Sequence, residues 1–214
     1  MRMAKSPYQI QLEAIIAQLQ ADGMRPTLLL HACCAPCSSY VLEYLANFFE
    51  IAIYYYNPNI HPQKEFERRL QELRTFLNQF PPSLQHKIQL IETQYNPQEY
   101  FAATKVQSEP ALQVEAEKGE RCRRCYLMRM KKSAEYASAH GYDYFTTTLS
   151  ISPHKDATKI NTIGFDLEKK MNVCFLPADF KKNNGFKRSL ELSSEYNLYR
   201  QEYCGCIYSL QNCK

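Results

Sequence analysis

The sequence predicts an α/β fold, a mainly parallel sheet flanked by helices, and three observations carry that prediction. Short apolar or β-branched runs alternate with longer amphipathic stretches along the chain. The longer stretches repeat their apolar residues at three- and four-residue steps, the period of a helix with one buried face. At 214 residues, 45% hydrophobic and 22% charged, the chain is long enough to bury a core of its own.

Taken in order, Tyr8, Leu12, Ile15, Ile16 and Leu19 fall on one face, so residues 1–24 read as an N-terminal amphipathic helix. Residues 25–214 then form a single α/β domain carrying the site. Thr27 to His31 is a short apolar run suited to a buried strand, and Ser38 to Phe48 is helical. Residues 49–57 are rich in β-branched and aromatic side chains and stop at the turn Asn57-Pro58-Asn59. Helical spacing returns over 62–80 through Phe66, Leu70, Leu73 and Leu77, followed by a strand over 87–95. Two short helical stretches, near 97–104 and 109–118, lie in a less regular segment over 94–122 that reads as a small helical insertion. A longer helix over 122–139 carries Leu127, Met130, Ala134 and Ala137 on one face. A strand over 142–152, a helix over 156–171, a strand over 172–177 and a helix over 185–196 complete the alternation. The expected arrangement is Rossmann-like, of the HUP type, with no internal repeat.

The net charge of +4 is too mild to argue for nucleic acid by itself. No secretory signal stands at the start, and no apolar run approaches the roughly 18–20 residues that span a bilayer. The expectation is a cytoplasmic protein without a membrane partner, in a compartment that keeps thiols reduced.

Nine cysteines therefore need a chemical account. Seven fall in three clusters: Cys33, Cys34 and Cys37; Cys122 and Cys125; Cys204 and Cys206. Cys174 reads as a core filler and Cys213 as incidental. Cys33-Cys34-x-x-Cys37 follows the first strand directly, at the carboxyl end where sites form in such sheets. Backbone N–H groups at the start of the next helix stabilise thiolates. Cys122 and Cys125, three positions apart at a helix start, present both sulfurs on one face of a turn. Together these clusters offer up to five thiolates, enough for structural zinc or for a [4Fe–4S] cluster, and the spacing alone does not choose. The surplus of cysteines favours iron–sulfur. Cys204-Gly205-Cys206 would close a small strained ring as a disulfide, which suits a two-electron dithiol switch, or it adds two more metal ligands. Gly205 supplies the backbone freedom that such a ring needs.

Positive charge gathers beside the cysteines. Arg121, Arg123, Arg124 and Arg129 accompany the second pair, with Lys131 and Lys132 beyond them; Lys181, Lys182, Lys187, Arg188 and Arg200 lead into Cys204. Tyr126, Phe186, Tyr199 and Tyr203 are interleaved. Cations for phosphates and rings for unpaired bases are the pattern of single-stranded RNA binding; a solvated face is the plain alternative.

The blocks LLLHACCAPCS, YYYNPNIHPQKEFERRL, RCRRCYLMRM, FTTTLSISPHKD and DFKKNNGFKRSLELSSEYNLYRQEYCGCIYS resemble, in the same order and over most of residues 28–210, those of the QueH epoxyqueuosine reductases. The resemblance implies reduction of the cyclopentane epoxide of epoxyqueuosine, at the wobble position of tRNA, with an iron–sulfur centre, no cobalamin and an electron donor it leaves unnamed. By the same resemblance Cys33, Cys34, Cys122 and Cys125 would hold a [4Fe–4S] cluster, and Cys204 and Cys206 would be the redox-active pair. Cys37 would ligate the cluster or an additional iron, a position where family members can carry aspartate. His31, His61, Asp156 and Asp179 lie in these blocks as candidate proton relays, below the cysteines in rank.

Two rival functions make different demands. A tRNA sulfur-transfer enzyme needs a glycine-rich phosphate loop after the first strand, and that position reads HACCAPCSS, without glycine. A zinc-stabilised RNA-binding domain has no use for Cys204 and Cys206, and would be colourless.

Overall fold

The computed structural model describes residues 6–211, so Cys213 lies outside the described residues. Five strands form one sheet in the order β3-β2-β1-β4-β5: β1 (Thr27–His31), β2 (Glu50–Tyr55), β3 (Gln89–Glu92), β4 (Tyr144–Thr147) and β5 (Cys174–Phe175). Every neighbouring pair is parallel. The connections run through α1 (Pro7–Ala21), α2 (Ala35–Leu45), α3 (Gln63–Leu77), α4 (Pro81–Gln85), α5 (Pro97–Thr104), α6 (Glu120–Ala139), α7 (Ala157–Glu168), α8 (Gly185–Glu195) and α9 (Ile207–Gln211).

β1 is central and covered on both faces, which is why it reads as an unbroken apolar run and not as an alternation. Its side chains divide between two cores. Leu28 and Leu30 join Leu12 and Ile16 of α1, Leu42 of α2 and Leu73 of α3, whereas Leu29 joins Met130 and Ala134 of α6 and Ile160 of α7. The N-terminal helix is thus packed into the same core as β1. No helix among the described residues is long and apolar enough to cross a membrane.

From β1 the chain builds outward through β2 to β3, then returns across the sheet through α5 and α6 to place β4 on the other flank of β1. The connections leave β1 and β4 in opposite directions. The crevice at the carboxyl ends of these two strands is the switch point where such folds put their sites.

Two elements stop short of the sequence expectation, each for a local reason. Over 109–118 only Pro110–Leu112 winds, as a 3-10 turn, because the Arg121 guanidinium takes the carbonyls of Leu112 (2.6 Å) and Gln113 (3.0 Å) that a longer helix would use. Glu115 folds back to accept the backbone N–H groups of Glu120 and Arg121, capping α6 at 2.8 and 2.7 Å. The strand expected over 142–152 stops at Thr147, whose hydroxyl accepts the Leu149 N–H at 3.2 Å and starts a 3-10 turn over Thr148–Ile151. The short helices α4 and α9 carry too little periodicity to stand out in the sequence.

Candidate functional site

The first cysteine group sits at the carboxyl end of β1. Cys34 is the N-cap of α2, in extended backbone, and its sulfur accepts the N–H of Cys37 at 3.4 Å. The sulfurs of Cys33, Cys34 and Cys37 all lie within 4.8 Å of one another, the one such metal-capable group among the described residues. Cys37 is therefore in the tightest group. Gln201 brings a further donor, its Nε2 lying 3.2 Å from the Cys34 sulfur.

The three thiols perturb one another. The Cys34 and Cys37 thiols hydrogen-bond to Cys33, with Lys155 and Arg129 facing it, and hold its thiol well below the ordinary range. Hydrogen bonding to Cys33 pushes the Cys37 thiol up to about 12, and burial raises Cys34.

Cys122 and Cys125 project from the first turns of α6, both buried. They line a small chamber together with Tyr100 of the insertion, Tyr126, Cys204 and Cys206. Burial raises both thiols, Cys125 to about 11 against the opposing pull of Arg129.

The third group arrives on the segment that follows α8. Gly205 has φ +119, and a Cβ there would lie 3.0 Å from Ile60 Cγ1 and 3.2 Å from Arg69 Nη1, so any side chain there would be strained and tightly pressed. Its carbonyl accepts the His61 N–H at 2.7 Å. Arg69, fully buried on α3, donates to the carbonyls of Tyr203 (3.3 Å) and Cys204 (3.4 Å) and pairs with Glu65 at 2.7 Å. The loop is thereby clamped from beneath. Both cysteines are free thiols, with the Ser209 hydroxyl 3.4 Å from the Cys204 sulfur and 3.5 Å from that of Cys206. A hydrogen bond from Cys206, together with Lys155, lowers the Cys204 thiol well below its usual range, while donating that bond raises Cys206.

Cations that form no ion pair among the described residues mark what the chamber wants. Arg129 is 2% exposed, and among the described residues its side chain hydrogen-bonds only to Asn57 Oδ1 at 3.3 Å, leaving Nε without a partner there. Burial opposes its charge, but Cys125, Cys33 and Cys204 outweigh that and hold it protonated. Lys155 likewise faces Cys204, Cys33 and Cys37, which offset its burial. Arg121, 1% exposed, keeps Nε and Nη2 without hydrogen bonds at the chamber wall. Buried cations need anions. Clustered thiols and orphaned guanidinium donors suit a thiolate-ligated, anionic metal centre.

The other predicted residues separate clearly. Arg123 and Arg124 pair with Glu120, and Arg124 also with Glu109; Arg188 pairs with Glu43, Glu191 and Glu195; Lys181 pairs with Asp179. Arg129 is a correction to the expected RNA face, since it is buried and turned toward the sulfurs. Lys182, Lys187 and Arg200 have no ion pair among the described residues. His31 is bonded on both ring nitrogens, to Thr147 Oγ1 (2.8 Å) and the Tyr56 carbonyl (3.1 Å), and its buried ring is lowered to about 3. It ties β1 to β4. Asp156 caps α7, accepting the Lys159 N–H at 3.0 Å, and Cys174 is exposed, not a core filler. The sequence reading missed Lys155, Glu117 and Gln201; Lys155 stands inside the block FTTTLSISPHKD, flanked by residues that drew attention instead.

Comparison with known proteins assigns the chain to a family. Residues 28–212 match the family model described as "Epoxyqueuosine reductase QueH". A protein of that name from Staphylococcus epidermidis is 44% identical over 209 residues, covering 98% of this chain and 87% of its own. Another from Streptococcus pyogenes is 42% identical over 205 residues, covering 96% of this chain and 78% of its own. A third from Staphylococcus aureus is 41% identical over 209 residues, covering 98% and 86%. A switch-point site built from three cysteine groups, and relatives matched along most of their length, lead to one conclusion: the chain belongs to the QueH family of epoxyqueuosine reductases and is an oxidoreductase.

Proposed function

We propose that this protein reduces the epoxide of epoxyqueuosine in tRNA to the alkene of queuosine, using a [4Fe–4S] cluster and the Cys204/Cys206 dithiol, without cobalamin. The observation that carries this reading is the gathering of three cysteine groups, distant in sequence, around buried Arg129 and half-buried Lys155. Cys33, Cys34, Cys122 and Cys125 would hold the cluster, with Cys37 available to it or to an additional iron. When bound, such a cluster supplies single electrons and an iron able to act as a Lewis acid toward oxygen.

The protein's own residues divide the remaining work. Loss of the epoxide oxygen as water takes two electrons and two protons, and oxidation of Cys204 and Cys206 to a disulfide releases both. Arg69 and the His61 N–H hold that loop at the chamber, and Gly205 lets it turn there. Ser209, within 3.5 Å of both sulfurs, is placed to pass a proton between them. An external electron donor then returns the disulfide to the dithiol. Lys155 and Arg129 offset negative charge throughout.

The test is anaerobic loading with iron and sulfide, then reductant and tRNA bearing epoxyqueuosine, with nucleosides read by mass spectrometry. A product lighter by one oxygen, formed without cobalamin, is the expected result. A colourless, zinc-filled protein would end the iron–sulfur assignment. A well-filled cluster that forms no product on several donors would end the substrate assignment.

A further inference from the structure

A second cavity opens onto the sulfur chamber. This cleft of about 390 Å³ shares Glu117, His154, Lys155 and Cys204 with the chamber, and continues past Phe186, Arg200 and Gln201, which the chamber lacks. Its size is that of a pocket for a small organic molecule. Its chemistry changes along its length. At the sulfur end Glu117 has no hydrogen bond or ion pair among the described residues. At the far end Phe186, half-buried at the start of α8, presents its ring. Beyond it the Arg200 guanidinium lies 5.7 Å from the ring centroid, fixed by the Ser189 carbonyl (3.3 Å) and the Ser193 hydroxyl (2.9 Å). Arg200 has no carboxylate partner among the described residues, unlike Arg188 on the same face. Gln201, between the two ends, holds Cys34 with its Nε2 and leaves its buried Oε1 without a donor.

Epoxyqueuosine presents matching groups in the same order. Its epoxide-bearing ring is joined through a secondary amine, protonated at neutral pH, to a guanine-like base, and the base to the sugar–phosphate chain. We propose that the cleft receives the flipped-out nucleotide lengthwise: the ring at Cys204, the ammonium on Glu117, the base against Phe186 and a neighbouring phosphate on Arg200. The unpaired Gln201 Oε1 accepts an N–H from the base edge. This placement rests on the substrate assigned above. It makes Glu117 the residue that separates the modified base from guanine, Phe186 a sequence-tolerant stacking platform, and Arg200 a pre-aimed phosphate contact.

The test measures binding apart from turnover, with two anticodon stem-loop RNAs, one carrying queuosine, which keeps the amine, and one carrying guanine. The wild-type protein binds the queuosine RNA more tightly. Glu117→Gln reduces that preference about tenfold, the worth of one charged hydrogen bond. Phe186→Leu weakens both RNAs by about tenfold or more. Arg200→Gln weakens both and lowers the salt dependence by about one counterion. Lys169→Gln, an equal loss of charge at an exposed site on α7's end, leaves both affinities as they were. Unchanged affinities and preference in all three cleft variants, with epoxide turnover intact in the wild type, would overturn the cleft assignment and leave the function standing. Failure of the wild type to turn over epoxyqueuosine RNA would instead remove the function and the cleft's ligand with it.

Discussion

Replacing Arg69 by Met removes the one cation that supports the dithiol loop from below. Arg69 is fully buried, and its Nε donates to Glu65 at 2.7 Å, with Glu65 itself only 9% exposed. Its other two nitrogens reach the carbonyls of Tyr203 and Cys204 at 3.3 and 3.4 Å, long enough to be weak bonds. The ion pair therefore dominates the loss. Methionine fills much of the same volume, so no large cavity follows, but the Glu65 carboxylate is left buried without its cation. Breaking a buried pair from one side costs roughly 3–5 kcal/mol, a large share of the roughly 5–15 kcal/mol that holds a domain folded. Replacing both partners, as Glu65→Gln/Arg69→Met, removes the stranded charge and should recover about half of that loss. The assay is urea unfolding of the parent, both single variants and the double variant under reducing conditions, compared through their midpoints. In parallel, Cys204 and Cys206 should react faster with an alkylating agent in Arg69→Met, because their loop has lost its anchor. A single variant within about 1 kcal/mol of the parent, or single effects that simply add in the double, would refute the clamp.

Gly205→Ala forces a side chain into φ +119 against Ile60 and Arg69, and should lower the melting temperature by roughly 5–10 °C in a thermal scan. Cys204→Ser and Cys206→Ser should each retain the visible absorbance of a loaded centre while abolishing turnover; loss of both properties together would contradict the division of labour. Arg129→Met removes a buried charge, so the metal-free variant should be at least as stable as the metal-free parent, while binding less iron and releasing it faster to a chelator. Glu120 is held at about 2, against an ordinary 4.5, by Arg123 and then Arg124, so Glu120→Gln should be less stable than the parent above pH 4.5. Because the folded value is the depressed one, that difference should shrink as the pH falls through it and vanish near pH 2 in acid-unfolding curves.

The sheet and the position of the first cysteine group were legible because both follow from local pattern: an apolar strand running into a helix start marks a carboxyl end. Cys122 and Cys125 were legible for the same reason, through the spacing of one helical turn. What escaped the sequence depends on contacts between distant segments. Arg69 stands among the charged residues of α3 and looks solvent-facing; only the return of residues 203 and 204 buries it. Arg124 and Arg188 look like an RNA face until Glu109 and Glu43, from other parts of the chain, pair with them. Lys155 carries no periodicity at all. It reaches the sulfurs because Thr147 ends β4 early and the 3-10 turn redirects the chain.

The clamped loop also has a consequence in time. The sheet is closed by β5 at Phe175, and the loop's anchors, Arg69 and His61, belong to the first third of the chain. A chain folding from its N-terminus during synthesis therefore assembles the scaffold and two of the three cysteine groups before Cys204 is made. The dithiol is a clasp that latches last onto a finished frame. A clasp added last can also be lifted first, at the cost of a few hydrogen bonds instead of the whole fold, so this loop can open while the sheet stays intact.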